Sequence, residues 1–173
     1  MTPPIRRISP ADGAALREVR LRALKTDPDA FESTYAEEAA KPADAWDRWA
    51  EASATGERAC LFVADDDGVF GAMAGAYTPD KTPLTHRLIA MWVAPGLRKQ
   101  GIGGALTSSI LRWSAESGAA EVTLWVVDLD GPARRLYERA GFSLTEIEQA
   151  LGSNPRLTKR LVRRSITAHT DPV

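Results

Sequence analysis

Cysteine and histidine are scarce in this chain, and that scarcity closes off whole classes of chemistry. One cysteine among 173 residues, Cys60, cannot build an intrachain disulfide framework. Joined by only two histidines, His86 and His169, it makes no convincing zinc site, and no metal is expected. Neither sign of charge dominates. With 22 Lys and Arg against 23 Asp and Glu, the net charge is −1, so nothing draws the chain generally to nucleic acid or an anionic membrane. Long apolar runs are also missing: none approaches a membrane-spanning length, and the N-terminal residues lack a secretory apolar core. The expectation is a cytoplasmic protein with no membrane partner. The length suits one domain over residues 1–165, with 166–173 a frayed polar tail.

What is present is a succession of periodic segments. Ile5 to Ile8 reads as a first strand, and Ser9-Pro10-Ala11-Asp12 as a helix start. Leu16, Val19, Ala23 and Leu24 follow at helical spacing until Asp27-Pro28 stops them. A short helix is expected over Ala30 to Lys41, and another over Pro42 to Ala54 carrying Trp46 and Trp49 on one face. Ala59 to Ala64 and Val69 to Tyr77 flank Asp65-Asp66-Asp67-Gly68 as a hairpin, with Cys60 a buried strand residue. Arg87 to Val93 and Glu121 to Val127 are apolar on both faces, as central strands are. Between them Ile102, Leu106, Ile110 and Trp113 mark a helix closed by Ser117-Gly118. Strand, helix, strand makes a right-handed parallel crossover. Pro132 to Ala140 is a short helix presenting Ala133, Leu136, Tyr137 and Ala140, and Gly141 ends it. Phe142 to Gln149 and Leu157 to Arg163 then pair across a long loop containing Pro155. The fold class is α/β: a mixed sheet with helices on both faces.

The most informative stretch is Val93-Ala-Pro-Gly-Leu-Arg98-Lys99-Gln100-Gly101-Ile102-Gly103-Gly104, lying between strand and helix. Glycines let backbone approach closely, and the free N–H groups of a helix's first turn point at a bound anion. A phosphate ligand is therefore expected. A P-loop would need Lys-Ser/Thr after its second glycine, but Gly104 and Ala105 stand there. A dinucleotide fingerprint would need a third glycine where Leu106 stands, and an earlier place in the chain. The remaining pattern, Arg98-x-x-Gly101-x-Gly103, resembles the acetyl-CoA-binding segment of the GNAT superfamily of N-acetyltransferases. A second stretch, Asp130-Gly-Pro-Ala133-Arg-Arg-Leu136-Tyr137-Glu-Arg-Ala-Gly141-Phe142, is similar to that superfamily's Asn-x-x-Ala-x-x-Leu-Tyr-x-x-x-Gly-Phe. It departs from the pattern at Asp130, where Asn is usual.

The resemblance implies two parallel strands that splay, with the pantetheine arm of acetyl-CoA between them. Met91, Trp92 and Val93 would bind its amides through their backbone, and Arg98, Lys99, Gln100, Gly101, Ile102, Gly103 and Gly104 would hold the pyrophosphate. Asp130 and Ala133 fall at further cofactor contacts, although a carboxylate accepts where an amide could donate. Asp130 is alternatively only a cap for the helix that follows. Tyr137 falls at the general acid that protonates the departing thiolate, or is a core aromatic. The implied reaction moves an acetyl group to a primary amine by direct attack in a ternary complex. Its acceptor would be a small molecule or a peptide amine. The amine must first lose a proton, from a pKa of about 10.4 for a lysine type or about 8 for an α-amine.

A base is not evident, since Trp125 occupies the place where relatives acting on protein N-termini put a Glu. Glu32, Glu37, Glu38, Asp128 and His86 are the substitutes. Two other functions compete. Asp27, Asp29, Glu32, Glu37 and Glu38 would suit a polycationic, aminoglycoside-like acceptor, and the missing base would suit a CoA-binding regulatory module without turnover. The basic run Arg156, Lys159, Arg160, Arg163 and Arg164 reads as the outward side of a final strand rather than an RNA-binding surface. A homodimer is the default symmetric expectation.

Overall fold

A computed structural model describes residues 2–127 and 130–166. Seven strands form one sheet: β1 (Ile5–Arg7), β2 (Ala59–Asp66), β3 (Val69–Tyr77), β4 (Thr85–Val93), β5 (Glu121–Val126), β6 (Ser143–Leu151) and β7 (Asn154–Ser165). Their order is β1-β2-β3-β4-β5-β7-β6. Only β4 and β5 run parallel, joined by the expected crossover through α4 (Ile102–Glu116). α1 (Gly13–Thr26), α2 (Tyr35–Ala39) and α3 (Ala43–Thr55) precede β2, and α5 (Pro132–Arg139) follows β5.

The sheet separates two cores. Alternation along β4 sends His86 and Leu88 to the face covered by α4, where Leu106, Ile110, Trp113, Val122 and Leu124 are buried. The opposite face packs Leu61, Val63 and Met73 against Leu16, Val19 and Leu24 of α1 and Trp46 of α3. Trp46 and Trp49 share a face as expected, their rings 5.9 Å apart. Cys60 is buried in β2, and burial pushes its thiol up to about 12, so it stays protonated.

Two segments depart from expectation. Residues 30–41 are not one helix: a 3-10 turn at Pro28–Ala30 leads to extended backbone at Phe31, and α2 begins only at Tyr35. Thr34 sets that start, because its hydroxyl accepts from the Glu37 N–H while the Glu37 carboxylate accepts from the Thr34 N–H. Extended backbone lets the Phe31 side chain reach the core. Nor is there a long loop between the last strands. They join through Gly152-Ser153, and Pro155 lies inside β7, where the register slips between Ala150 paired with Thr158 and Leu151 paired with Asn154. A proline is tolerated there because no ladder donor is required of it. Ile166, counted with the tail above, packs on the core and donates its N–H to the Ala120 carbonyl. Asp128, His169 and the rest of the expected tail lie outside the described residues.

Candidate active site

The parallel ladder between β4 and β5 is short. Thr85, His86 and Arg87 pair with Glu121, Val122 and Thr123, and there it ends, although β4 runs on to Val93 and β5 to Val126. Beyond Arg87 the strands part, leaving the β5-facing backbone of β4 without ladder partners. The opposite side of β4 is irregular too. Met73 pairs with Trp92 but Gly75 with Ile89, so Ala90 and Met91 together face Ala74. Ala90 has a φ of 56°, in the left-handed region that a non-glycine residue seldom occupies. This bulge shifts the strand's phase: Leu88 and Met91 both pack toward α4, while Ala90 and Trp92 pack toward α1.

Past β4, the chain turns through Pro95–Leu97 and reaches α4 by way of Lys99 at φ 63° and Gly101 at φ 83°. The first helical bond runs from the Ala105 N–H to the Gly101 carbonyl at 3.0 Å. The N–H groups of Ile102, Gly103 and Gly104 therefore have no helical acceptor. A side-chain carbon at Gly96, Gly101 or Gly104 would meet nothing within 4 Å, so the ground before the helix is open. Gly103 instead permits packing: a Cβ there would sit 3.3 Å from Leu136 and 3.9 Å from Val93. That contact joins α5, the first turn of α4 and the end of β4 around one space. Bare amides, an open approach and a favourable helix dipole make an anion cradle.

The side chains of this loop face elsewhere. Arg98 donates through Nε to the Val93 carbonyl at 2.9 Å and through Nη2 to Asp27 Oδ2 at 2.6 Å. Trp92 Nε1 donates to the same Asp27 oxygen at 2.7 Å, and its indole is buried in the core on the α1 side. Arg98 and Trp92 thus anchor the loop to the end of α1, and any contact from Trp92 to a cofactor would come from its backbone. Asp27, offered above only as the stop of α1 and as one of the acids for a polycationic acceptor, carries no sequence signal for this anchoring role. Gln100 closes the turn by donating to the Gly96 carbonyl at 3.1 Å, and Lys99 is exposed.

On α5, Ala133 is exposed rather than part of a buried face, and Tyr137 is the buried residue of the helix. The Tyr137 ring meets Phe142 edge-on at 5.7 Å, beside Val126, Leu144 and Val162, and burial holds its phenol well above the ordinary range. Asp130 is exposed, and its carbonyl accepts from Arg135 Nη1 at 3.2 Å. It does not cap α5, because Gly131 holds that position.

The candidate bases are largely occupied. Glu38 is buried, accepting from Ser33 at 2.7 Å and Lys41 at 2.8 Å, with Arg20 at 3.5 Å. Burial alone would raise its pKa, but these donors outweigh it and hold the carboxyl below the usual range. Glu37 serves the start of α2, and Glu32 pairs with Lys159 while accepting from the Gly152 N–H at 3.0 Å. His86 is buried on the α4 side, its Nδ1 3.0 Å from Ser114 Oγ, and burial lowers its pKa. Among the described residues, no group of three or more His, Cys, Asp or Glu could hold a metal, and no helix is long and apolar enough to cross a membrane.

The arrangement recurs in known proteins. The sequence is 32% identical over 102 residues to streptothricin acetyltransferase of Streptomyces lavendulae, covering 59% of this chain and 53% of that one. The chain spans about half or less of the length of the curated relatives it matches. An acetyltransferase of the GNAT family from Streptococcus pneumoniae superposes with a TM-score of 0.78 at 19% identity, over 95% of this chain and 99% of that one. The protein yncA from Salmonella typhimurium, solved with its cofactor acetyl-CoA, superposes with a TM-score of 0.75 at 20% identity, over 100% of this chain and 99% of that one. At such identities these structures establish the shared fold. A sequence model of the acetyltransferase (GNAT) family matches residues 22–142, which hold the splayed strands, the cradle and α5, and the chain belongs to that family.

Proposed function

We propose that the protein is an acetyl-CoA-dependent N-acetyltransferase acting on a primary amine. The observation that carries this reading is the gap between β4 and β5 opening beside the cradle at the start of α4. The residues present fit acetyl-CoA: open glycine positions and bare helix amides suit its pyrophosphate, and the unladdered edge of β4 suits its amide-bearing arm. When bound, it supplies an activated acyl carbonyl. Gly101, Ile102, Gly103 and Gly104 hold the phosphates, with Lys99 and Gln100 shaping the loop. Backbone groups of Met91, Trp92 and Val93 orient the arm, and the bulge at Ala90–Met91 leaves backbone there outside the β3 ladder. Asp130, just before α5, and Ala133, in its first turn, supply the further cofactor contacts in this reading.

Tyr137 is the proposed acid: its phenol is protonated at working pH, and because burial makes it a weaker acid, its transfer to a departing thiolate relies on position rather than on driving force. With Glu32, Glu37, Glu38 and His86 engaged in structural contacts, the amine enters already deprotonated, and the residues here orient it rather than activate it. The five acids that would suit a polycationic antibiotic all have internal partners, Asp29 accepting from Asn154 at 3.1 Å. Asp27, Glu32 and Glu38 are neutralised by Arg98, Lys159 and Lys41, so only Asp29 and Glu37, bonded to neutral groups, keep their full negative charge.

The test is free-thiol release from acetyl-CoA against a panel of amino acids, dipeptides, polyamines and aminoglycosides. The expected result is saturable turnover with one class, rising with pH along the acceptor's own amine pKa. Acetyl-CoA binding without thiol release for any amine would favour a non-catalytic CoA-binding module.

A further inference from the structure

The face of the gap opposite α4 carries a group of cations that the proposed transfer does not use. Arg87 lies on β4 at the last ladder pair, and its Nε donates to Thr123 Oγ1 at 2.8 Å. Its guanidinium carbon stands 5.8 Å from the ring centre of Trp125, so it reaches across the point where the strands begin to part. Lys159 approaches the same indole from β7, its Nζ 4.8 Å from the ring centre. Trp125 pairs with Leu161 and Thr123 with Arg163, and directly paired residues share a sheet face, which puts Arg163 on this side as well.

The charges here are unevenly balanced. Lys159, only 7% exposed, is paired with Glu32. Arg87 and Arg163 make no ion pair among the described residues. Glu121 shares the face one alternation before Thr123, but it bonds to none of the three cations. Overhead, Arg20 stacks on Phe31 at 4.6 Å; its charge is met by Glu38, but its Nε and Nη1 are buried without a partner. A cationic acceptor would be repelled here, and its place over Trp125 is already taken by Arg87 and Lys159. An anion would satisfy guanidinium donors that Thr123 leaves free, and a planar guanidinium suits a carboxylate best.

We propose that the acceptor is a small primary amine that also carries a carboxylate, with Arg87 holding that carboxylate beside Trp125 and Lys159 and Arg163 reinforcing the positive field. This deepens the N-acetyltransferase reading and rests on it. The amine is thereby directed along β4 from Arg87 toward the bulge at Ala90–Met91, where the unladdered backbone lies.

The experiment compares amino acids with their primary amides and decarboxylated amines in thiol release, with rates corrected for the fraction of free amine. The wild type is expected to favour the carboxylate form by about tenfold or more in kcat/KM, the worth of a charge-assisted hydrogen bond. In Arg87→Gln that preference collapses through KM. The exposed Arg163→Gln reduces it by a smaller factor, which guards against Arg87→Gln failing to fold. Equal or better turnover of the amides or of polyamines would overturn the carboxylate assignment and leave the transferase reading standing. A preference that survives both substitutions would also overturn it. No thiol release with any amine would overturn both together.

Discussion

The two sides of the gap between β4 and β5 are built by different means. On the α4 side, the cradle is contiguous sequence: residues 93–104 turn once, and backbone amides do the binding. On the α1–α2 side, the wall is assembled from distant segments by side chains. Lys159 reaches Glu32, Gly152 donates to Glu32, Ser153 to the Phe31 carbonyl and Asn154 to Asp29, every pair joining the segment after α1 to the β6–β7 hairpin. A common co-substrate can be met by a local motif with little choice of side chain. An acceptor that differs between relatives calls for exchangeable side chains on movable segments.

If that division holds, substitutions on the two sides should separate cofactor effects from acceptor effects. The largest expected loss concerns the step between them: Tyr137→Phe lowers kcat about 100-fold, the lower bound for removing a general acid, without changing acetyl-CoA affinity. Steady-state thiol release with separate calorimetry checks this. An unchanged kcat would leave Tyr137 as the core aromatic that its contact with Phe142 describes. Next, Glu32→Gln deprives the nearly buried Lys159 of its counter-charge and loosens the hairpin tip. Stability should fall by about 1–3 kcal/mol by urea unfolding, while the freed charge of Lys159 should lower rather than raise KM for a carboxylate-bearing acceptor in initial rates.

Gly101→Ala is a backbone effect only, because its Cβ would meet nothing but φ is 83°. About 1 kcal/mol of stability should be lost, read from the urea midpoint. The smallest effect is on pH dependence. The Glu38 pKa is depressed in the folded protein, so its contribution to stability is fully present above the unfolded pKa, about 4.3, and lost as pH falls through the lower folded value. Glu38→Gln should therefore flatten the acid limb of a thermal-melt series and lower the melting temperature at neutral pH, where Arg20 loses its partner.

The same contrast explains what could be read before the structure. The cradle, both central strands, α4 and α5 follow from local pattern: apolar periodicity, glycine at positive φ and a small-residue helix start. Arg98, by contrast, is a loop cation whose partner Asp27 lies 71 residues away, and no periodicity announces that pairing. The bulge at Ala90 is equally silent, because alanine carries no mark of a left-handed backbone. The break before α2 is marked by Thr34 and Glu37 in capping register, a local signal that the expectation of one helix over 30–41 does not use. Trp125, Arg87 and Lys159 come from three strands, and only the register of β5 against β4 and β7 brings them together.

The most direct test of the central claim is acetyl-CoA affinity by titration calorimetry, wild type against Gly104→Glu. The new side chain starts in open space at the first turn of α4, where a carboxylate suits the helix dipole, so the fold should hold or gain slightly in melting temperature. That carboxylate would stand where the pyrophosphate is proposed to lie, and like-charge contact should weaken binding by about 100-fold or more. A melting temperature at or above wild type with affinity lost is the predicted result. Undiminished affinity in the folded variant would contradict the account by moving the phosphates away from this helix.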